Sequence, residues 1–177
     1  GHGGENQRRA LERHVMMRPT SINEAFSRLI LTQAGGRISF RPATQDDAEL
    51  CDRLTRETMF PYVETAWPSQ PERHHEYLKK NGLNIATTHM ILSNGTPIGR
   101  IAIQSDDECI KLDNIQLLPD CQRQGIGAAV MEKLIEFADT QHKPIKLYVL
   151  ENNPAKQLYV RLGFSEIGEN DRQIGRA

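Results

Sequence analysis

The chain has 177 residues, a length that suits one domain with a single core. Apolar residues make up 38% and charged residues 25%, and the formal net charge is −1, which excludes a disordered chain and a uniformly basic nucleic-acid binder. No apolar run approaches the roughly 20 residues of a membrane span, and the opening stretch lacks the apolar core of a secretory signal.

Gly1 and His2 read as the remnant of an expression tag. Ser21-Ile-Asn-Glu24 has the form of a capping box, and Ile22, Phe26, Leu29 and Ile30 follow at helical spacing. Residues 1–36 are therefore expected to be an extension holding one short amphipathic helix, closed by Gly35-Gly36. It would pack on the domain or on a partner.

The domain itself is expected over 37–177. Ile38 and Phe40 alternate in a strand over 37–41. Thr44, Asp46 and Asp47 then start a helix whose apolar face is Ala48, Cys51 and Leu54, broken at Pro61. A second helix is expected from about Gln70 to Lys80. Strands over 85–92, 97–104 and 109–118 follow as an antiparallel meander, the first two joined at Asn94-Gly95.

The third of these strands changes phase. Ile110 and Leu112 sit in one alternation, Ile115 and Leu117 in the other. A β-bulge near Asp113-Asn114 would put all four on one face; otherwise both faces of a central strand are buried. Gly125-Ile126-Gly127 opens a helix running to about Gln141, with a stripe of Ile126, Val130, Leu134, Phe137 and Ala138. A strand with Ile145, Leu147 and Val149 comes next. Asn153-Pro154 starts another helix that stops at Gly163, and 164–176 reads as a hairpin around Gly168-Glu169-Asn170. The order describes a mixed α/β fold.

Glycines at a helix start let ligand oxygens approach unpaired backbone N–H groups, where the helix dipole adds partial positive charge. A pyrophosphate fits there. The third glycine of a dinucleotide fingerprint is absent, since Val130 holds its place, and no P-loop motif occurs. Cys51, Cys109 and Cys121 form no CxxC pair, which suits a reducing cytoplasm. None of the six histidines has zinc spacing, so no metal is expected.

Gln122-x-x-Gly125-x-Gly127, preceded by Ile-Gln-Leu-Leu-Pro, resembles the acyl-CoA pyrophosphate motif of the GNAT superfamily of N-acetyltransferases. Asn153-x-Ala155-x-x-x-Tyr159-x-x-x-Gly163-Phe164 is similar to that family's later helix, and Arg41-Pro42-Ala43-Thr44 with Asp47 to a common start. The resemblance covers about 37–176. It implies a central mixed, mostly antiparallel sheet flanked by helices, with a splayed parallel strand pair at 109–118 and 144–150.

It also implies acetyl-CoA as co-substrate. Leu117, Leu118, Gln122, Arg123, Gln124, Gly125, Ile126, Gly127, Ala128, Asn153, Ala155 and Lys156 are the expected cofactor-binding positions. The N–H groups of 124–128 would hold the pyrophosphate, and the backbone of Leu117 and the side chain of Asn153 the pantetheine. Tyr159 would meet the leaving thiolate, unless it is only a core aromatic. Asp113 and Glu64 are candidates for the base, or else structural or substrate-binding carboxylates. Tyr62, Glu64 and Trp67 would bind a cationic amine, or else anchor a helix pair. The expected partner is a small-molecule or peptide amine, with no nucleic acid or membrane, on a cytoplasmic monomer or homodimer. A non-catalytic acyl-CoA-binding module and an interaction protein using the N-terminal helix are the alternatives.

Overall fold

The computed structural model describes residues 21–33, 35–150, 152–166 and 173–176. Helix α1 spans Ile22–Arg28, and the Ser21 hydroxyl caps it by accepting from the Glu24 N–H at 3.2 Å. Strand β1 (Leu31–Gln33) follows and pairs antiparallel with β2 (Gly36–Pro42). The boundary expected at residue 36 thus falls inside a hairpin. Phe26 explains why: its ring is buried and meets Phe40 of β2 edge-on at 5.0 Å. The described part of the extension belongs to the core.

A 3-10 turn over Gln45–Asp47 leads into α2 (Ala48–Thr58). The Asp47 carboxylate accepts from the Thr44 N–H and from both terminal nitrogens of Arg41, each at 2.8 Å. Those bonds hold its carboxyl below the usual range. Pro61 does more than end α2. It sits in the first turn of a further helix, α3 (Phe60–Ala66), where its missing N–H costs nothing. Helix α4 spans Pro71–Lys80.

The meander is β3 (Thr88–Ser93), β4 (Thr96–Ser105) and β5 (Ile110–Leu117). Helix α5 is Ile126–Thr140, β6 is Ile145–Tyr148 and α6 is Ala155–Arg161. Two closing strands, β7 (Ser165–Glu166) and β8 (Gln173–Arg176), pair antiparallel. The turn expected between them, at Gly168-Glu169-Asn170, lies outside the described residues.

Among the described residues the strands form one sheet, ordered β1-β2-β3-β4-β5-β6-β8-β7. All neighbours are antiparallel except β5 and β6. One face carries α1 and α5 over Ile38, Phe40, Ile91, Ile101 and Leu117. The other face carries α2, where Cys51 packs with Ala43 and Met90.

Gly99 of β4 lies opposite Leu117 of β5, and a Cβ there would run into the Gln116 carbonyl and the Leu117 side chain. The two strands approach closely only because position 99 has no side chain. Gly99→Ala is expected to cost about 1–3 kcal/mol of stability, as overpacking does, read as a lower urea midpoint.

Candidate active site at the opening seam

The bulge inferred from phase is present, and Asp113 is its extra residue. Ala102 pairs with Asn114, while the next residue, Ile103, pairs with Leu112. Ile110, Leu112 and Leu117 are buried in the main core with Ile115 packed against them, so all four share one face.

The parallel pairing of β5 with β6 covers only Ile110, Lys111 and Leu112 against Ile145, Lys146 and Leu147. Pairing therefore stops where the bulge begins, and the strands separate beyond it. The Leu118 N–H donates to the Ile98 carbonyl at 2.8 Å. Antiparallel alternation then turns the N–H and C=O of Leu117 away from β4, toward the opened seam. The Leu117 carbonyl accepts from the Gln122 side-chain amide at 3.0 Å, which ties the following loop back to the strand. Its N–H is left facing the seam.

Leu118 and Pro119 end the strand, and residues 122–125 loop into α5. Gly125 caps that helix with φ +79°, a left-handed conformation that glycine adopts freely. Arg123 is also left-handed, at φ +60°. The first helical N–H groups, on Ile126, Gly127 and Ala128, have no acceptor one turn earlier. Gly127 leaves them open: a Cβ there would meet only Leu117 Cδ1, at 4.0 Å. The Gln33 side-chain amide donates to the Gln124 carbonyl at 3.0 Å, so β1 braces the same loop.

Across the seam, the Asn153 side-chain oxygen accepts from the Ala155 N–H at 3.0 Å and starts α6. Gly163, at φ +94°, reverses the chain so that the Phe164 N–H closes on the Tyr159 carbonyl at 3.0 Å. The Tyr159 and Phe164 rings then lie 5.7 Å apart. Tyr159 is buried yet lines the seam, together with Asn153 and Ala155. Burial pushes its phenol up to about 12. Lys156 lies outside this cavity, on a shallow depression with Asn152 and Gln157, and pairs with Glu166 at 2.9 Å.

The seam widens into a cavity of about 410 Å³ on the α2–α4 side. Trp67 and Asp113 line it; Tyr62 and Glu64 do not. Glu64 is exposed on α3, and the Tyr62 carbonyl is held by Asn152 at 3.2 Å. The Trp67 ring already carries the Arg73 guanidinium at 5.1 Å and stands 6.1 Å from Tyr77, so it anchors α3 to α4. Asp113 accepts from Gln104 at 2.7 Å and pairs with Lys111 at 3.4 Å.

A family model for the acetyltransferase (GNAT) family matches residues 49–164, about two thirds of the chain. The chain belongs to the GNAT family. That family is a class of acyltransferases. An uncharacterized N-acetyltransferase of Methanocaldococcus jannaschii is 35% identical over 82 residues, which are 41% of this chain and 36% of that protein. The match thus spans about a third of that relative's length. Among solved structures, the PaiA N-acetyltransferase of Thermoplasma acidophilum in complex with coenzyme A superposes with a TM-score of 0.58 at 16% identity, over 78% of this chain and 98% of that one. A GCN5-related N-acetyltransferase of Rhodopseudomonas palustris gives 0.59 at 13%, over 84% and 98%. At these identities the likeness is one of fold.

In this GNAT chain, two residues of the cavity wall, Gln116 and Thr88, and one buried behind them, Arg100, carry no sequence motif. Arg100 of β4 is fully buried, and its Nε donates to the Gln116 side-chain oxygen at 2.8 Å. Its Nη2 donates to the Thr55 hydroxyl at 2.9 Å and to the Asn81 carbonyl at 2.7 Å. Gln116 and Thr88, both buried, form part of the cavity wall. An isolated Arg, Gln or Thr in a strand gives no periodic signal. The only hint is a polar residue in the inward phase of an otherwise apolar strand.

Proposed function

We propose that this protein is an N-acetyltransferase that moves the acetyl group of acetyl-CoA to a primary amine by direct attack. One observation carries the proposal: β5 parts from β6 at the Asp113 bulge, opening a seam lined by the Tyr159 ring, and the same strand runs on into the loop that presents the free N–H groups of α5.

The N–H groups of Gln124, Gly125, Ile126, Gly127 and Ala128 would bind the pyrophosphate, each bond to a charged oxygen being worth about 1.5–3 kcal/mol. The Leu117 N–H and Asn153 would hold the pantetheine arm. Acetyl-CoA supplies an activated acetyl group as a thioester. The amine nitrogen forms a bond to the acetyl carbon, the carbon–sulfur bond breaks, and the sulfur leaves with the bonding pair. The Leu117 N–H would donate to the oxygen that gains charge.

Tyr159 would hydrogen-bond the departing sulfur. A phenol at about 12 facing a thiol near 8.5 lies about 3.5 units from matched proton transfer, roughly 5 kcal/mol uphill. Its contribution is therefore a bond that strengthens as charge appears on sulfur. The amine must be neutral to attack, and the proton it sheds as the amide forms ends on the departing sulfur, giving the free thiol. Asp113 is engaged by Gln104 and Lys111, and Glu64 stands outside the cavity, so neither is placed as a free base. An α-amino group, near pKa 7.8, is about one part in seven deprotonated at pH 7 and needs little help.

Acetyl-CoA at 100 times its Kd is expected to stabilise the protein by about 2.7 kcal/mol, raising Tm by roughly 5–10 °C. Free-thiol release across a panel of amines tests the transfer itself. Stabilisation without release from any amine leaves a CoA-binding module; no stabilisation at all removes the coenzyme.

A further inference from the structure

Behind the wall of the cavity lies a buried cation, and among the described residues no anion pairs with it. Every acceptor bonded to Arg100 is neutral: the Gln116 amide oxygen, the Thr55 hydroxyl and the Asn81 carbonyl. Among the described residues its other terminal nitrogen, Nη1, is buried with no oxygen or nitrogen acceptor. The neighbouring ionisable groups are Cys51 and Tyr77. Burial raises the Cys51 thiol and pushes the Tyr77 phenol up to about 12, so both are uncharged at neutral pH. A guanidinium does not shed its proton, so the charge stays.

Two more buried polar atoms have no hydrogen-bond partner among the described residues: the amide nitrogen of Gln116, whose oxygen accepts from Arg100, and the Thr88 hydroxyl. Both residues line the cavity, as do Asn81 and Tyr77. Buried charges in folded proteins are paired, and orphaned buried donors are rare. Here an amide N–H and a hydroxyl on two residues of the cavity wall are unmatched, and a guanidinium N–H is unmatched on Arg100, which bonds Gln116 from behind that wall. All three can donate.

We propose that Gln116 and Thr88, with the Arg100 charge directly behind Gln116, form a binding site for the carboxylate of the acceptor, so that the amine acetylated here is one that carries an acidic group. The amine half of this statement rests on the acetyl-transfer reading; the anion site does not. A single negative charge at the wall balances the single cation buried behind it. A phosphate dianion would leave one charge uncompensated in the same buried place.

Two arms test it. In the first, succinate and succinamide are titrated into the protein by calorimetry without acetyl-CoA. Succinate should bind at least tenfold tighter than succinamide, and tighter than inorganic phosphate. Equal binding of the first two overturns the site; phosphate binding tighter overturns its assignment to a carboxylate. In the second, β-alanine and β-alaninamide are compared as acceptors, and β-alanine should have a KM at least tenfold lower.

Gln116→Glu supplies Arg100 with an internal carboxylate. It should raise Tm, abolish succinate binding and raise the KM for β-alanine, with the KM for β-alaninamide little changed. If Arg100 only ties strands and helices together, the variant raises Tm and leaves both KM values alone, which overturns the proposal. Should that variant fail to fold, Thr88→Val removes one orphaned hydroxyl without breaking a bond, and succinate affinity should fall about fivefold. Unchanged affinity there also overturns the proposal. Succinate binding with no thiol release from any amine keeps the anion site and overturns the transfer reading instead.

Discussion

Tyr159→Phe is expected to lower kcat by about 10²–10⁴-fold while leaving the acetyl-CoA Kd within about twofold. The phenol carries no cofactor anchor in the proposed arrangement; it meets the sulfur only as charge develops there, so its loss falls on the transition state. Stopped-flow thiol release and calorimetry on the same preparation separate the two quantities. The fold should survive, because the Phe ring keeps the packing on Phe164 at 5.7 Å and the Phe164 N–H bond is to the backbone of residue 159. The pH profile gives a second reading. With the phenol pushed up to about 12, the wild-type rate should show no alkaline fall near pH 10, where an exposed tyrosine would ionise. An unchanged kcat in the variant returns Tyr159 to a purely structural role.

How much of this was legible depended on periodicity. Four apolar residues in two incompatible phases, Ile110 and Leu112 against Ile115 and Leu117, located a bulge to within one residue, because a period of two admits few other ways to bury them together. Gly125 and Gly127 were legible because a helix start needs backbone freedom there. Gly163 was legible because a left-handed residue must end α6 before Phe164 can fold back. Elements set by tertiary contact gave no such sign. Strand β1 is three residues long, too short for any period, and it forms because Phe26 and β2 bring it alongside. Helix α3 hid behind Pro61, whose usual meaning as a breaker inverts at a first turn. The acceptor wall was the least visible. Tyr62 and Glu64 are within five residues of Trp67 in sequence yet lie outside the cavity, whereas Gln116 and Thr88 of the wall and Arg100 behind it come from three strands.

Gly127→Glu separates the coenzyme site from the fold. Position 127 has room for a side chain, since the nearest atom to a Cβ would be Leu117 Cδ1 at 4.0 Å. A carboxylate in the first turn of α5 is also favourable to the helix, by about 0.3–1 kcal/mol through the dipole, which adds to the gain in helix propensity on replacing glycine. Stability should therefore hold or rise slightly. The same carboxylate occupies the N–H groups that the pyrophosphate would use and repels its charge. Losing two bonds to charged oxygens, at about 1.5–3 kcal/mol each, weakens acetyl-CoA by roughly 10²–10⁴-fold. Gly127→Ala is the control: it fills the same space without charge and should change the Kd by less than about tenfold. Melting curves and calorimetry on both variants decide the matter. Equal loss from alanine and glutamate would mean that the space above Gly127, and not the free N–H groups, is what the coenzyme needs. Retained affinity in Gly127→Glu would move the pyrophosphate away from α5 altogether.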